Sequence, residues 1–202
     1  MADPEVLDPA QAPADPHALF ARWYAEAHAA GLPQPDAMAL ATADSDRRPS
    51  VRMVLLKDHG AEGFVFYTNA RSRKGRDLAA NPRAALLFYW APLHRQVRIE
   101  GPVEPLPAAE SDAYFGSRPR GARLGALASP QSAVIASRDE LERRVDELEH
   151  RHPDQVPRPA HWGGYRVIPE SIEFWLGRPD RLHDRVRYTR TADSWLRERL
   201  AP

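Results

Sequence analysis

The sequence predicts a mostly β, α+β protein, an antiparallel barrel with helices packed on its outside. Three observations carry that reading. About seven short runs rich in β-branched and aromatic residues are separated by turn-forming Gly, Pro and Asp. Helical stretches fall between hairpins instead of alternating one for one with strands, which argues against a doubly wound parallel sheet. No internal repeat divides the 202 residues, enough for one domain with a real core.

In chain order, residues 1–16 (MADPEVLDPAQAPADP) are rich in Pro, Ala and Asp and are expected to form a disordered tail ahead of a single domain over 17–202. Leu19, Phe20, Trp23, Tyr24 and Ala27 make one helical stripe, ended by Gly31 and Pro33. AMALATA (37–43), SVRMVLLK (50–57) and GFVFYT (63–68) read as strands, separated by the turn-like DSDRRP and DHGAEG. A helix starts after Ser72 and stops at Asn81-Pro82. RAALLFYWA (83–91) and HRQVRIEGPVEPL (94–106) read as a hairpin, and PAAESDAYFGS (107–117) as a helix opened by proline. SRDELERRVDELEHR (137–151) is a helix with Ser137 and Glu140 as its capping box. The end returns to β in GGYRVIP, SIEFWLG, RVRYTRT and SWLRERL.

The totals exclude several functions. With 28 basic and 28 acidic residues the formal net charge is zero, against a general nucleic-acid or membrane-surface binder. There is no cysteine, hence no disulfide, thiolate metal site or cysteine nucleophile. No apolar run reaches the length of a membrane span, and the N-terminus lacks a signal-peptide pattern, so a soluble, cytoplasmic protein is expected. Dinucleotide and Walker-type glycine loops, a G-x-S-x-G elbow and metal-ligand histidine spacings are all absent, so no metal is expected. A phosphate site would have to be built from side chains on strands and loops.

Cations crowd one place where a helix does not favour them. The turn after Ser72 carries Arg73, Lys74 and Arg76, with Arg71 just ahead, at the end whose dipole prefers acids. Either these are solvated surface cations, or an anion sits among them, held by side chains and free N–H groups. Arg52 raises the same question within SVRMVLLK, both of whose faces look buried. Its anionic partner is equally an internal carboxylate or a ligand.

Taken together and in order, the motifs resemble the pyridoxine/pyridoxamine 5′-phosphate oxidases. They are R-M-V-L-L-K, Y-T-N-x-x-S-R-K, R-Q-V, Y-F-G-S-R-P, Q-S, W-G-G-Y-R-V, I-E-F-W, R-L-H-D-R and the terminal R-L-A-P, covering about Asp15 to Pro202. The resemblance implies a six- to seven-stranded split β-barrel that dimerises, with two FMN sites at the interface built from both chains. FMN would be contacted by Arg52, Met53, Val54, Leu55, Leu56, Lys57, Tyr67, Thr68, Arg73, Lys74, Gln96, Gln131, Ser132, Trp175 and Arg185. Lys57, Tyr114 and Arg118 would hold a substrate phosphate, with Arg181 and His183 over the ring as the residues nearest the chemistry. On this reading the cations after Ser72 clamp the FMN phosphate. The implied reaction oxidises pyridoxine or pyridoxamine 5′-phosphate to pyridoxal 5′-phosphate by hydride transfer from C4′ to FMN N5, with O2 reduced to hydrogen peroxide.

Two departures lie on the substrate side. Ala122 stands where the family usually has serine, and residues 1–16 lack the R-x-x-Y-x-x-G-G-L arm of many members. Two other readings are a split-barrel flavin oxidase acting on another ring, such as a phenazine precursor, and a non-catalytic FMN- or PLP-binding protein. Retention of Lys57, Tyr114 and Arg118 argues against the first and R-L-H-D-R against the second.

Overall fold

The computed structural model describes residues 6–202, with ten strands, five α-helices and two three-residue 3-10 helices among them. The first helix, α1 (Pro16–Ala29), is capped by Asp15, whose carboxylate accepts from the His17 N–H at 2.9 Å. Two hairpins follow, β1 (Ala37–Ala43) with β2 (Pro49–Leu55) and the short β3 (Asp58–Gly60) with β4 (Gly63–Asn69). Then come α2 (Arg73–Ala80) and the hairpin of β5 (Arg83–Trp90) with β6 (Arg95–Pro105). Helices α3 (Ala108–Ser117), α4 (Arg120–Ala128) and α5 (Arg138–Arg151) precede β7 (Trp162–Val167), β8 (Ser171–Leu176), β9 (Asp184–Arg190) and β10 (Trp195–Arg199).

Every ladder is antiparallel. Six strands in the order β2-β1-β5-β6-β7-β4 curl into the barrel, and no ladder joins β2 to β4 among the described residues. That unpaired seam is the split. The remaining strands are the three-residue β3 and a β8-β9-β10 extension that leaves the barrel at β6. β6 serves both because residues 95–100 pair with β8 and residues 103–105 with β7. The changeover falls at Gly101, where a Cβ would run into the Ile168 carbonyl oxygen. Only glycine lets the two backbones approach so closely.

The inward faces of the sheet supply Met38, Leu40, Phe64, Phe66, Leu86, Phe88, Val97, Ile99, Ile172, Phe174, Val186 and Tyr188, all fully buried. The α1 stripe closes over them. Phe20 meets Phe64 edge to face at 4.8 Å and Trp23 meets Phe174 at 5.3 Å. Burying each such side chain contributes about 1.5–3 kcal/mol. A second cluster, Phe115, Leu124, Val156 and Trp162, holds the α3–α5 helices beside β7.

Several expectations are corrected. β2 is not buried on both faces: Val51 and Met53 on its outer side are 68% and 63% exposed, because the core packs only against the inner face of the sheet here, as the exposed Leu87 and Tyr89 of β5 also show. DHGAEG was expected to be only a turn, yet Asp58–Gly60 pair with β4. Helix α4 was not anticipated. The tail expected to be disordered over 1–16 is, from Leu7 on, held against the last two strands; residues 1–5 lie outside the described residues. Leu7 is 3% exposed, the Tyr188 hydroxyl donates to the Pro13 carbonyl at 2.8 Å, and Arg199 pairs with Asp8 at 3.1 Å. Carbonyls, not composition, anchor it: arginines of β10 donate to the Ala12 and Leu7 carbonyls.

Candidate active site

A cavity of about 620 Å³ opens at the split. Its walls are Met53, Val54, Leu55 and Lys57 from β2 and beyond, Tyr67, Thr68 and Asn69 from β4, Lys74 from α2, and Tyr114 and Arg118 around the end of α3. The far wall is α4 with Ala122, Gly125 and Ala126, followed by Ser129 and Gln131. Trp162 lies at the base of an aromatic stack: Tyr67 lies 4.0 Å from Tyr114 and 5.4 Å from Trp162, all near parallel.

Helix α2 delivers one cation inward. Ser72 caps it, its hydroxyl accepting from the Gly75 N–H at 3.3 Å, and Gly75 sits where a Cβ would strike the Ala70 carbonyl. This tight first turn buries Lys74 to 8% exposure. Its ammonium donates to Thr68 Oγ1 at 3.2 Å, Ser72 Oγ at 3.4 Å and Gln131 Oε1 at 3.4 Å, all neutral acceptors. No carboxylate pairs with it among the described residues. Desolvation, then the nearby Arg52, lowers its pKa below the ordinary lysine value. Arg71, Arg73 and Arg76 stay exposed.

Arg52 points inward from β2 and has an internal anion after all. It donates to Thr42 Oγ1 at 2.7 Å and lies 3.8 Å from Asp77, which also accepts from Thr42. Burial still lowers its pKa, with Asp77 opposing. Arg118 is stacked on Trp162 at 4.8 Å and Phe115 at 5.7 Å, and its buried Nη1 has no hydrogen-bond partner. Desolvation lowers its pKa too. Lys57 lies 3.5 Å from Asp36. A buried ammonium with neutral partners and a guanidinium with an orphaned N–H fit a cavity that receives anionic groups.

Of the residues expected to touch FMN, Leu56 is buried at 3% exposure and does not line this cavity. Ser132 follows Gln131 at a left-handed φ of 72° and is exposed. Gln96, Trp175 and Arg185 are elsewhere, in a depression of about 250 Å³ on the outer face of the sheet with Leu87, Arg98, Glu173 and Pro202. There Arg185 donates to Glu173 at 2.8 Å and to the Ala201 carbonyl at 2.8 Å. Arg181 and His183 occupy the loop between β8 and β9, with the His183 ring 4.5 Å from that of Trp175. The expected site is therefore in two halves within one chain.

Their separation follows from register. Leu55 pairs with Ala37, Tyr89 with Gln96, Gln96 with Trp175 and Trp175 with Arg185, and continuing the β1–β5 ladder sets Ala37 beside Tyr89. All lie on one outer row. Leu55 and Trp175 are four strand spacings apart, roughly 19 Å at about 4.8 Å each. Between them the row exposes Tyr89, and the row beside it Met53 and Leu87.

Asn69, Trp162, Gly125, Ala126 and Ser129 also line the cavity without having been expected as site residues. W-G-G marked Trp162 as a motif, and in RGARLGALA only Ala122, through the family resemblance, pointed to the substrate side; nothing there indicated that Gly125 and Ala126 form a wall. Arg120, which could have stood in for the hydroxyl missing at Ala122, instead turns to α5, donating to the His152 carbonyl at 2.7 Å.

The pyridoxamine 5′-phosphate oxidase family model matches residues 24–152, and that of the pyridoxine 5′-phosphate oxidase C-terminal dimerisation region matches residues 162–202. A pyridoxine/pyridoxamine 5′-phosphate oxidase of Burkholderia lata is 60% identical over 97% of this chain and 93% of its own. One of Thermosynechococcus vestitus is 60% identical over 93% and 89%. Among solved structures, PhzG from Burkholderia lata in complex with tetrahydrophenazine-1-carboxylic acid superposes with a TM-score of 0.93 at 36% identity, covering 99% of this chain and 98% of that one. A pyridoxamine 5′-phosphate oxidase-related, FMN binding protein from Nostoc punctiforme, at 17% identity and a TM-score of 0.75 over 95% and 100%, shares the fold. With its split barrel, its cation-lined cavity and these matches along nearly its whole length, the chain belongs to the pyridoxamine 5′-phosphate oxidase family.

Proposed function

We propose that the protein is an FMN-dependent oxidase that converts pyridoxine or pyridoxamine 5′-phosphate to pyridoxal 5′-phosphate, with O2 reduced to hydrogen peroxide. The observation that carries this is the cavity with two uncompensated cationic groups on different elements, Lys74 on α2 and Arg118 after α3. One suits the phosphate of FMN, the other the phosphate of a substrate. Bound FMN would supply the two-electron acceptor and the route to O2. Thr68, Lys74 and Gln131 would hold the cofactor phosphate, with the exposed Arg73 joining them. Lys57, Tyr114 and Arg118 would hold the substrate phosphate.

The protein acts as a homodimer on this reading. The outer row carrying Gln96, Trp175 and Arg185 is continuous with exposed Tyr89, and the row beside it exposes Met53 and Leu87; two copies packed on this face would bring one chain's depression to the other's cavity. Arg181 and His183 then arrive from the partner side to position the ring, which is worth most when the reacting atoms are held in line.

A second reading has one specific observation behind it. The PhzG structure holds a tricyclic carboxylic acid, and α4 here presents only Ala122, Gly125 and Ala126 to the cavity, which leaves room for a wider ring. Arg118 pairs as well with a carboxylate as with a phosphate. The test is anaerobic addition of pyridoxine 5′-phosphate to the purified, FMN-loaded protein. Bleaching of the yellow colour is expected. Bleaching only by a reduced phenazine carboxylate moves the assignment to the second reading.

A further inference from the structure

The loop joining β8 to β9 is fastened at both ends. The Arg178 N–H donates to His183 Nδ1 at 3.1 Å, and Arg178 Nε donates to Asp184 Oδ2 at 2.8 Å. Arg199 of β10 donates to Asp184 Oδ1 at 3.0 Å and, with its other nitrogen, to the Leu7 carbonyl at 3.3 Å. Partial burial pushes the Asp184 carboxyl up, but the hydrogen bonds from Arg178 and Arg199, the charge of Arg178 and a backbone hydrogen bond from Leu7 together hold the group below its usual range. Within the loop, Asp180 and Arg181 have φ of 56° and 60°. Non-glycine residues keep that backbone region only where their surroundings hold them there.

A backbone amide can only donate, so His183 Nδ1 is the acceptor and the neutral ring carries its proton on Nε2. The Trp175 ring, 4.5 Å away, limits rotation of the imidazole. We propose that the Arg178–Asp184 clamp is a positioning device that presets His183 as an Nε2–H donor toward the substrate ring. The proposal rests on the reading of His183 as a substrate contact. An imidazole fixed in this tautomer stabilises an acceptor on the ring, such as an ionised ring hydroxyl, and cannot take a proton from the substrate through the same nitrogen. Arg178 and Asp184 act through His183 and need not touch the substrate.

The test uses FMN-loaded protein labelled with 15N-histidine, the resonances of His183 being identified by their loss in His183→Gln. Wild type is expected to show the Nε2–H tautomer. Asp184→Asn, or Arg178→Ala should the first fail to fold, is expected to move the His183 signals toward a tautomer average. Either should also lower kcat/KM for pyridoxine 5′-phosphate by about tenfold, with FMN affinity unchanged. His183→Gln, whose amide nitrogen can stand near Nε2, should retain about tenfold more kcat/KM than His183→Asn. An Nδ1–H tautomer in wild type, or His183 signals unmoved in a folded clamp variant, overturns the proposal. A wild type with the expected tautomer that does not oxidise either B6 phosphate refutes the substrate assignment and leaves the clamp standing.

Discussion

Replacing Lys74 by methionine should improve the FMN-free protein and damage the FMN-bound one. Lys74 is 8% exposed, the acceptors of its ammonium are all neutral, and desolvation and Arg52 lower its pKa. Methionine keeps most of the methylene volume and removes that charge. Thr68 Oγ1 already lies 3.2 Å from Gln131 Oε1 and can donate to it, so removing the ammonium leaves few groups without partners. The melting temperature without FMN is therefore expected to hold or rise. Binding should suffer the opposite change. A hydrogen bond to a charged group is worth about 1.5–3 kcal/mol, so losing one to the FMN phosphate weakens Kd by about tenfold to somewhat over a hundredfold. Lys74→Glu sets a carboxylate against the phosphate and should abolish binding. The assay is fluorescence titration of FMN into cofactor-free protein, paired with thermal melts without FMN. Unchanged affinity in both variants would refute the clamp. A Lys74→Met protein that melts well below wild type without FMN would show that the ammonium is structural.

Ala122→Ser, which adds a hydroxyl to the cavity wall, should lower KM for pyridoxine 5′-phosphate by about tenfold; an unchanged KM in steady-state kinetics means that the phosphate lies elsewhere. Met53→Lys, on the exposed row of β2, should yield monomers by light scattering and release FMN; a dimer of wild-type affinity would remove this face from the interface. His17, 9% exposed and stacked on Phe64 at 5.9 Å, has its pKa lowered by burial. Below about pH 6.5 the unfolded chain takes up a proton that the folded protein refuses, so stability falls as pH drops through that range. The melting temperature of His17→Gln should fall less steeply from pH 7 to 5 than that of wild type, and identical slopes would exclude His17 as the cause.

Local order was legible because each element carries its own pattern. AMALATA is β1 residue for residue, Ser137 caps α5, and Ser72 caps α2. What escaped depends on partners distant in sequence. RGARLGALA has two glycines and follows a proline, so its helicity comes from packing Leu124 against Phe115 and Trp162. A run such as SVRMVLLK reads as buried whether the chain itself or a second copy covers its outer side. The cavity followed the same rule: motifs named Lys74, Tyr114 and Arg118, while Gly125 and Ala126 become a wall only once α4 is folded against the split. That two chains share each site followed only from the family resemblance, and where each half sits on the sheet is set by strand register, which the motifs do not carry.

The seam between β4 and β7 bears on how the chain is made. It joins residues 64–69 to 162–167, so nearly a hundred residues must be synthesised between the two sides of one ladder. During translation β4 and the C-terminal part of β6 wait with unpaired edges, since both take β7 as their neighbour. Helices α3–α5 emerge in that interval, and their apolar cluster includes Trp162, the first residue of β7. Closure is thus expected late in folding, in keeping with the slow formation of non-local strand pairs. A chain stalled before residue 162 would expose two strand edges to its neighbours on the ribosome, the arrangement in which nascent β proteins aggregate or engage chaperones.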